Sequence, residues 1–489
     1  MEVDVAPGRL AKPYLLLCAV MGALTAMLVV YSQTYAFAWD EGFHLLTAQL
    51  IMRGKTPYLD WCFPQTLLNA YWNALWMRVF GDTWRTAHTV AALMTAGAVM
   101  LTVDYLYVRF PVKSWRLAAA LAAAFLAGLN ILVVDYGTIG QAYGFCLFMI
   151  VAAFRLTVAS GERSSLWLAA LAGLFAGAGP AGSLLTTWVC PVLGVYLFLR
   201  SVAGNRWWKV AVFFVAAAIP FLPMVWLFIL NPDVTRFNVI DYHLLYRMVQ
   251  WEGAIGHDIN VMMVWIDSGD ALMLGVLGIA GLLFIRFQSD WTKQQRSEFY
   301  LCAWLSLALG AQISSAHPTF ARYFLLAVPF LGILSAAGLY FLTSRVYSAD
   351  RRFWPVLAVA LLCTIDLVKT IRDGSDNFHW TDLEKLSAKI DQVTPKNGVI
   401  FADEQVFFIT RRPPPEGMEL ADSHKLEMAP ALAARRHILT GTELERQVKA
   451  GRFDTIESCG TDDRVKDWDY EKMYHKKDEI EDCTIFWDR

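Results

Sequence analysis

The chain has 489 residues, 56% of them hydrophobic and only 18% charged, with a mean hydropathy of +0.40. That balance excludes an ordinary soluble domain and describes a polytopic α-helical membrane protein. The net charge of −2 offers no basic surface, so no nucleic-acid partner is expected.

The first apolar run covers residues 14–32. With Lys12 before it and Ala36-Phe37-Ala38 after it, the segment could pass for a secretory signal. Its length favours a retained anchor, since cleavage would strip a span from a multi-span protein. Trp39-Asp40-Glu41 follows the run. Two adjacent carboxylates at the edge of a bilayer are costly unless water, a counter-ion or a substrate meets them. A carboxylate placed there can accept the proton of an attacking hydroxyl; the same pair could instead cap a following helix, whose N-terminus favours acidic residues. From Gly42 to Gly54 the chain reads as an amphipathic, membrane-lying stretch, followed by Pro57-Tyr58, Phe63-Pro64-Gln65 and the run from Leu67 to Trp72.

Crossing ~30 Å of hydrocarbon takes about 20 apolar residues. Eleven spans are expected, at 14–32, 86–108, 117–134, 139–158, 166–181, 184–199, 210–230, 270–285, 299–315, 323–342 and 354–371. Alternate connections carry Arg109, Lys113 and Arg116, then Arg155 and Arg163, then Arg200, Arg206 and Lys209, then Arg286, Lys293 and Arg296, then Arg351 and Arg352. The opposite short turns, at Asp135-Tyr136-Gly137 and Gly179-Pro180-Ala181-Gly182, have no Lys or Arg. This bias places the N-terminus in the cytoplasm, and an odd span count then places the C-terminal part outside.

Three external segments are long: 33–85, 231–269 and 372–489. In the second, His243 and Arg247 share a helical face and are candidates for substrate contact, while His257-Asp258 offers two ligand types, too few to specify a metal. Between the late spans, His317-Pro318-Thr319-Phe320-Ala321-Arg322-Tyr323 places one cation, Arg322, in a short external turn. An arginine fork there suits a lipid phosphate; the same Arg and Tyr could simply anchor a helix end. The segment 372–489 is charged and punctuated by Pro and Gly. It has helical patterns near 381–393 and 441–450 and strand-like runs at 399–402 and 483–486. It is expected to form a small extracytoplasmic α/β domain behind a transmembrane domain spanning 1–371. Eight cysteines show no metal spacing, and neither a metal nor another cofactor is expected. Cys459 and Cys483 share the external domain, where a disulfide could persist.

The order of the first external loop resembles that of the GT-C glycosyltransferases, within them the protein O-mannosyltransferases and lipid A aminoarabinose transferases. Asp40-Glu41, the loop turn at Gly54, Pro57 and Tyr58, and the segment from Pro64 to Phe80-Gly81, a second membrane-lying helix, carry the likeness. It covers residues 14–110 and extends to Arg322-Tyr323. The resemblance implies a GT-C fold and an enzyme moving a sugar from a polyprenyl-phosphate carrier to an acceptor hydroxyl of a lipid, glycan or protein. Inversion at the sugar's anomeric carbon is implied, on the extracytoplasmic face of a bacterial inner membrane. It also implies that Asp40 is the catalytic base with Glu41 beside it, and that Arg322, Tyr323, His317 and Arg85 serve the donor phosphate. Many relatives carry an arginine where His88 stands; Arg85, one helical turn earlier, is the substitute. A flippase for lipid-linked sugars or a polysaccharide polymerase is the alternative class. The first would show broken helices near the midplane and repeated halves, and neither is visible in the chain.

The charge alternation is testable with a reporter active only outside the cytoplasm. Fused after residue 375 it should be active, and fused near Asn205 inactive; the opposite pattern would turn Asp40 to the cytoplasm.

Overall fold

The computed structural model describes residues 11–489 apart from 164, 202–203, 250–253, 289, 317, 345, 347–350, 376, 421–423 and 460–467. The chain forms two compact units. One comprises Met1–Gln33, His88–Leu222 and Gly253–Ser375, and the other Thr34–Ala87, Pro223–Glu252 and Asp376–Arg489. The loop after the first helix, Thr34–Ala87, thus joins Asp376–Arg489 in the second unit.

Each expected span overlaps at least one helix. Among the described residues, six helices are long and apolar enough to cross a membrane: Lys12–Thr34, Trp84–Arg109, Ala142–Glu162, Arg206–Leu230, Ala321–Thr343 and Phe353–Asp373. Leu166–Gly182, Leu184–Arg200 and Gly269–Ile285 are shorter apolar helices. The run expected at 117–134 is broken into Arg116–Gly128 and Ile131–Tyr136, and the one at 299–315 lies on Lys293–Ser314.

Between apolar helices surrounded by lipid, little hydrophobic force remains, and close backbone approach supplies the contact. Gly173 and Gly177 of Leu166–Gly182 meet Arg206–Ala218 so closely that a Cβ on either would lie 2.0 Å from the carbonyl oxygen of Phe213 or Ala217. Gly281 and Gly338 make the same approach between Gly269–Ile285 and Val328–Thr343, with a Cβ 2.1 Å from Leu334 O and 1.9 Å from Leu277 O. Several charges in this unit are paired or capped by carbonyls. Arg155 pairs with Asp104, Arg109 bridges Glu162 and the buried Glu298, and the Lys209 ammonium donates to the carbonyls of Ser160 (2.6 Å) and Arg163 (2.5 Å).

The second unit is built on a four-stranded sheet of β1 (Ile400–Phe401), β2 (Thr455–Cys459), β3 (Lys476–Ile480) and β4 (Cys483–Trp487), in the order β1-β2-β4-β3. β1 and β2 run parallel and the other pairs antiparallel. Cys459 and Cys483 face each other across β2 and β4 and are disulfide-bonded. Leu383, Leu386 and Ile390 form the buried stripe of Trp380–Val393, the period expected of a helix with one face in a core. Gly441–Lys449 is the second expected helix; β2, β3 and the helix Glu404–Thr410 carry no clear sequence pattern.

The stretch after Asp40-Glu41 differs from its amphipathic expectation. Gly42–Met52 is a helix buried at Gly42 and at every position from His44 to Leu50, enclosed by Leu68–Phe80 and Glu404–Thr410. Its polar residues are drawn inward because they have partners: Trp61 donates to Thr47 (3.2 Å), and Gln49 donates to Phe408 O (3.1 Å). Leu68–Phe80 is the amphipathic one, with an inverted pattern. Asn69 and Asn73 are buried, while Leu75, Val79 and Phe80 are exposed, the arrangement that suits a helix lying against lipid.

Gly177→Ala should lower the midpoint of thermal unfolding in detergent, reflecting overpacking that costs roughly 1–3 kcal/mol or more. Gly310→Ala is the control, because a Cβ there meets nothing within 4 Å. Equal midpoints for both would refute the close-approach account.

Candidate active site

The acidic pair lies on a single turn of 3-10 helix, Trp39–Glu41, that leads into Gly42–Met52. The two carboxylates have opposite surroundings. Asp40 is partly exposed, whereas Glu41 is wholly buried. Glu41 lies at the N-cap position of Gly42–Met52 but makes no side-chain cap bond there; its Oε2 accepts instead from the indole N–H of Trp380 at 3.3 Å. Burying a carboxylate requires such donors.

Other residues of the C-terminal segment grip the same turn. Gln405 donates through Nε2 to Trp39 O, and packs so tightly on Gly42 that a Cβ there would lie 2.4 Å from its Oε1. Trp39 stacks on Phe378, with ring centroids 5.1 Å apart, and Phe37 meets Trp39, Phe378 and Trp380 edge-on. A residue about 340 positions downstream thus orients the backbone that carries Asp40. Trp380 and Gln405 carry no sequence mark of this role; only the fold brings them to residue 40.

The loop turn is built as its residues suggest. Gly54 takes φ +85°, and Tyr58, also at positive φ, is buried and donates its hydroxyl to Gln65 O at 2.5 Å. Asn238, on a π-helical turn Phe237–Asp241, accepts from Phe63 N at 2.7 Å and donates to Val234 O at 2.9 Å. Such turns are rare and concentrate at functional sites. His243 is partly buried beside Tyr242, and the Arg247 side chain lies outside the described residues. Burial pushes Glu419 up to about 7.

Arg85 sits in this unit as well. It lies over the Trp84 ring at 4.3 Å and forks across Glu384 at 2.5 and 3.3 Å, and that bond holds the Glu384 carboxyl below its usual range. His88, in the other unit, is wholly buried and contacts Ser32 O through Nδ1 at 2.6 Å. As the carbonyl can only accept, Nδ1 carries the proton.

Arg322 and Tyr323 belong to the membrane-helix unit, on the 3-10 helix Ala321–Ala327 that runs into Val328–Thr343. The Arg322 guanidinium stands 4.4 Å over the Phe320 ring and 5.9 Å from that of Tyr323. Tyr323 lies 6.2 Å from Tyr143. His317 lies outside the described residues. His257 and Asp258 both engage Thr319, a connection that their spacing to Arg322 in sequence does not reveal.

This architecture is shared along the whole chain with ArnT from Cupriavidus metallidurans bound to undecaprenyl phosphate, at a TM-score of 0.65 and 13% identity, covering 99% of this chain and 98% of that one. The apo state of the same protein matches equally, over 97% of this chain. The Archaeoglobus fulgidus oligosaccharyltransferase AglB, in complex with an inhibitory peptide and a dolichol-phosphate, matches at a TM-score of 0.53 and 11% identity, covering 92% of this chain and 70% of that one. No protein-family model and no curated protein matches the sequence. The chain therefore shares the fold of these two proteins.

Trp380→Phe keeps the ring but removes the donor from a buried carboxylate, so the protein should lose about 1–3 kcal/mol, read as a lower unfolding midpoint. Asp40→Asn, at a partly exposed position, should leave that midpoint unchanged. A parental midpoint for Trp380→Phe would show that another donor satisfies Glu41.

Proposed function

We propose that the protein is a membrane glycosyltransferase moving a sugar from a polyprenyl-phosphate carrier to an acceptor hydroxyl, with inversion at the sugar carbon, on the extracytoplasmic face of a bacterial inner membrane. The observation carrying this reading is a fold shared over nearly the full length of both chains with a protein crystallised with undecaprenyl phosphate. The acceptor is a lipid, glycan or protein hydroxyl. The transmembrane catalytic part is assigned to residues 1–371, of which Thr34–Ala87 and Pro223–Glu252 share a compact unit with Asp376–Arg489, and the extracytoplasmic companion to 372–489, whose Cys459–Cys483 disulfide suits an oxidising compartment.

In this reaction the acceptor oxygen attacks the anomeric carbon, the bond from that carbon to the phosphate oxygen breaks, and the phosphate leaves with the electron pair. Asp40 takes the proton of the attacking hydroxyl, the role its partial exposure allows and one worth about 10²–10⁴-fold in rate. Glu41, buried against Trp380, holds Asp40 in place and touches no substrate. Arg322 stabilises the charge that develops on the leaving phosphate, with Tyr323 beside it; His317, Arg85, His243 and Arg247 are further candidates for donor or acceptor contact. One displacement assisted by one base needs no covalent enzyme intermediate, which accounts for inversion.

Asp40→Asn should lower turnover by roughly 10²-fold or more, measured as polyprenyl phosphate released from the sugar-loaded carrier in membranes containing the acceptor. Expression and carrier binding should persist. Turnover near the parental rate would remove Asp40 from the base role.

A further inference from the structure

Two adjacent side chains of the helix Ala254–Asp267 close on a single peptide residue. The Asp258 carboxylate Oδ1 accepts from Thr319 N–H at 2.9 Å, and His257 Nε2 lies 2.9 Å from Thr319 O. A carbonyl oxygen can only accept, so His257 carries its proton on Nε2 and donates it. Thr319 is wholly buried, while His257 and Asp258 are partly exposed. A residue held at both its N–H and its C=O cannot rotate about its own backbone without breaking one of them.

The restraint passes on to Arg322. Phe320 follows Thr319 directly, and the His257 ring meets the Phe320 ring edge-on at 5.4 Å. Phe320 supplies the carbonyl that accepts from Tyr323 N at 3.0 Å, opening the 3-10 helix. Its ring also lies under the Arg322 guanidinium at 4.4 Å. The helix Ala254–Asp267 thereby holds the backbone of Thr319, its His257 ring packs on the Phe320 ring, and that ring lies under the Arg322 guanidinium.

We propose that His257 and Asp258 are positioning residues that set the Arg322 guanidinium for a phosphate group; the proposal rests on the phosphate role assigned to Arg322 above. A fork recognises phosphate through its direction as well as its charge, so loosening Thr319 weakens phosphate binding without removing any group that touches phosphate. His257 and Asp258 hold peptide atoms, and need no metal for this work.

The test is a double-mutant cycle on the full-length chain in detergent, with undecaprenyl phosphate as the probe. Arg322→Ala should weaken binding about ten- to a hundred-fold, and Asp258→Ala about ten-fold. Asp258→Asn, which keeps an acceptor oxygen, should bind within about three-fold of the parent. Asp258→Ala added to Arg322→Ala should cause no further loss, because there is no fork left to aim. His257→Phe, which keeps the ring contact but removes the donor, repeats the cycle should Asp258→Ala fold poorly. Parental binding by both Asp258→Ala and His257→Phe, or losses that multiply with that of Arg322→Ala, would overturn the positioning role while leaving Arg322 in place. Parental binding by Arg322→Ala would overturn the phosphate assignment and this proposal with it.

Discussion

The buried carboxylate of Glu41 is the constraint on which the candidate site depends. A carboxylate withdrawn from water is tolerable only with donors aimed at it. One of them, the Trp380 indole, comes from a segment over three hundred residues away. The turn that carries Asp40 therefore cannot take its shape from local sequence alone. Gln405 and the Trp39–Phe378 stack enforce the same requirement from the C-terminal segment. The C-terminal segment thus packs as a structural part of the loop Thr34–Ala87, which explains why the two belong to one compact unit.

The membrane helices obey a different economy. With lipid on most sides, packing comes from the approach of backbones at Gly173, Gly177, Gly281 and Gly338, where a single methyl group would overlap a carbonyl oxygen. Polar groups in this unit are tolerated where paired or capped, as with Arg155 and Asp104 or the carbonyls around Lys209. The short segment from Thr319 to Tyr323 lies among these helices, with the backbone of Thr319 held at both its N–H and its C=O.

Most of the architecture was legible because the sequence writes it locally. Apolar runs, the alternation of Lys and Arg, and the stripe of Leu383, Leu386 and Ile390 are periodic signals that need no tertiary knowledge. The acidic pair was legible by its place after the first run. What was not legible depends on distant partners. Gly42–Met52 looked amphipathic because Thr47 and Gln49 are polar, yet Trp61 and the Phe408 carbonyl satisfy them inside the core. β2 and β3 lack a clean alternation because Glu457 is buried on one and both faces of the other are largely exposed. His257-Asp258 has the residue types of a metal pair, and only the fold shows both side chains spent on the peptide of Thr319.

Asp40 and Glu41 are chemically near-identical neighbours, and burial alone divides their work. An enclosed carboxylate bound to an indole is held still and shielded from acceptors, which makes it a poor base and a good strut. Its neighbour Asp40 is partly exposed on a turn anchored by Gln405 and Trp380, the setting that the proposed general-base role requires. Arg322 is treated in a parallel way. Aromatic faces attract a guanidinium through its charge, and the Arg322 guanidinium is set on Phe320 and Tyr323. In each unit the fold holds the residue beside the candidate group, Glu41 through the Trp380 indole and Phe320 through the edge of the His257 ring.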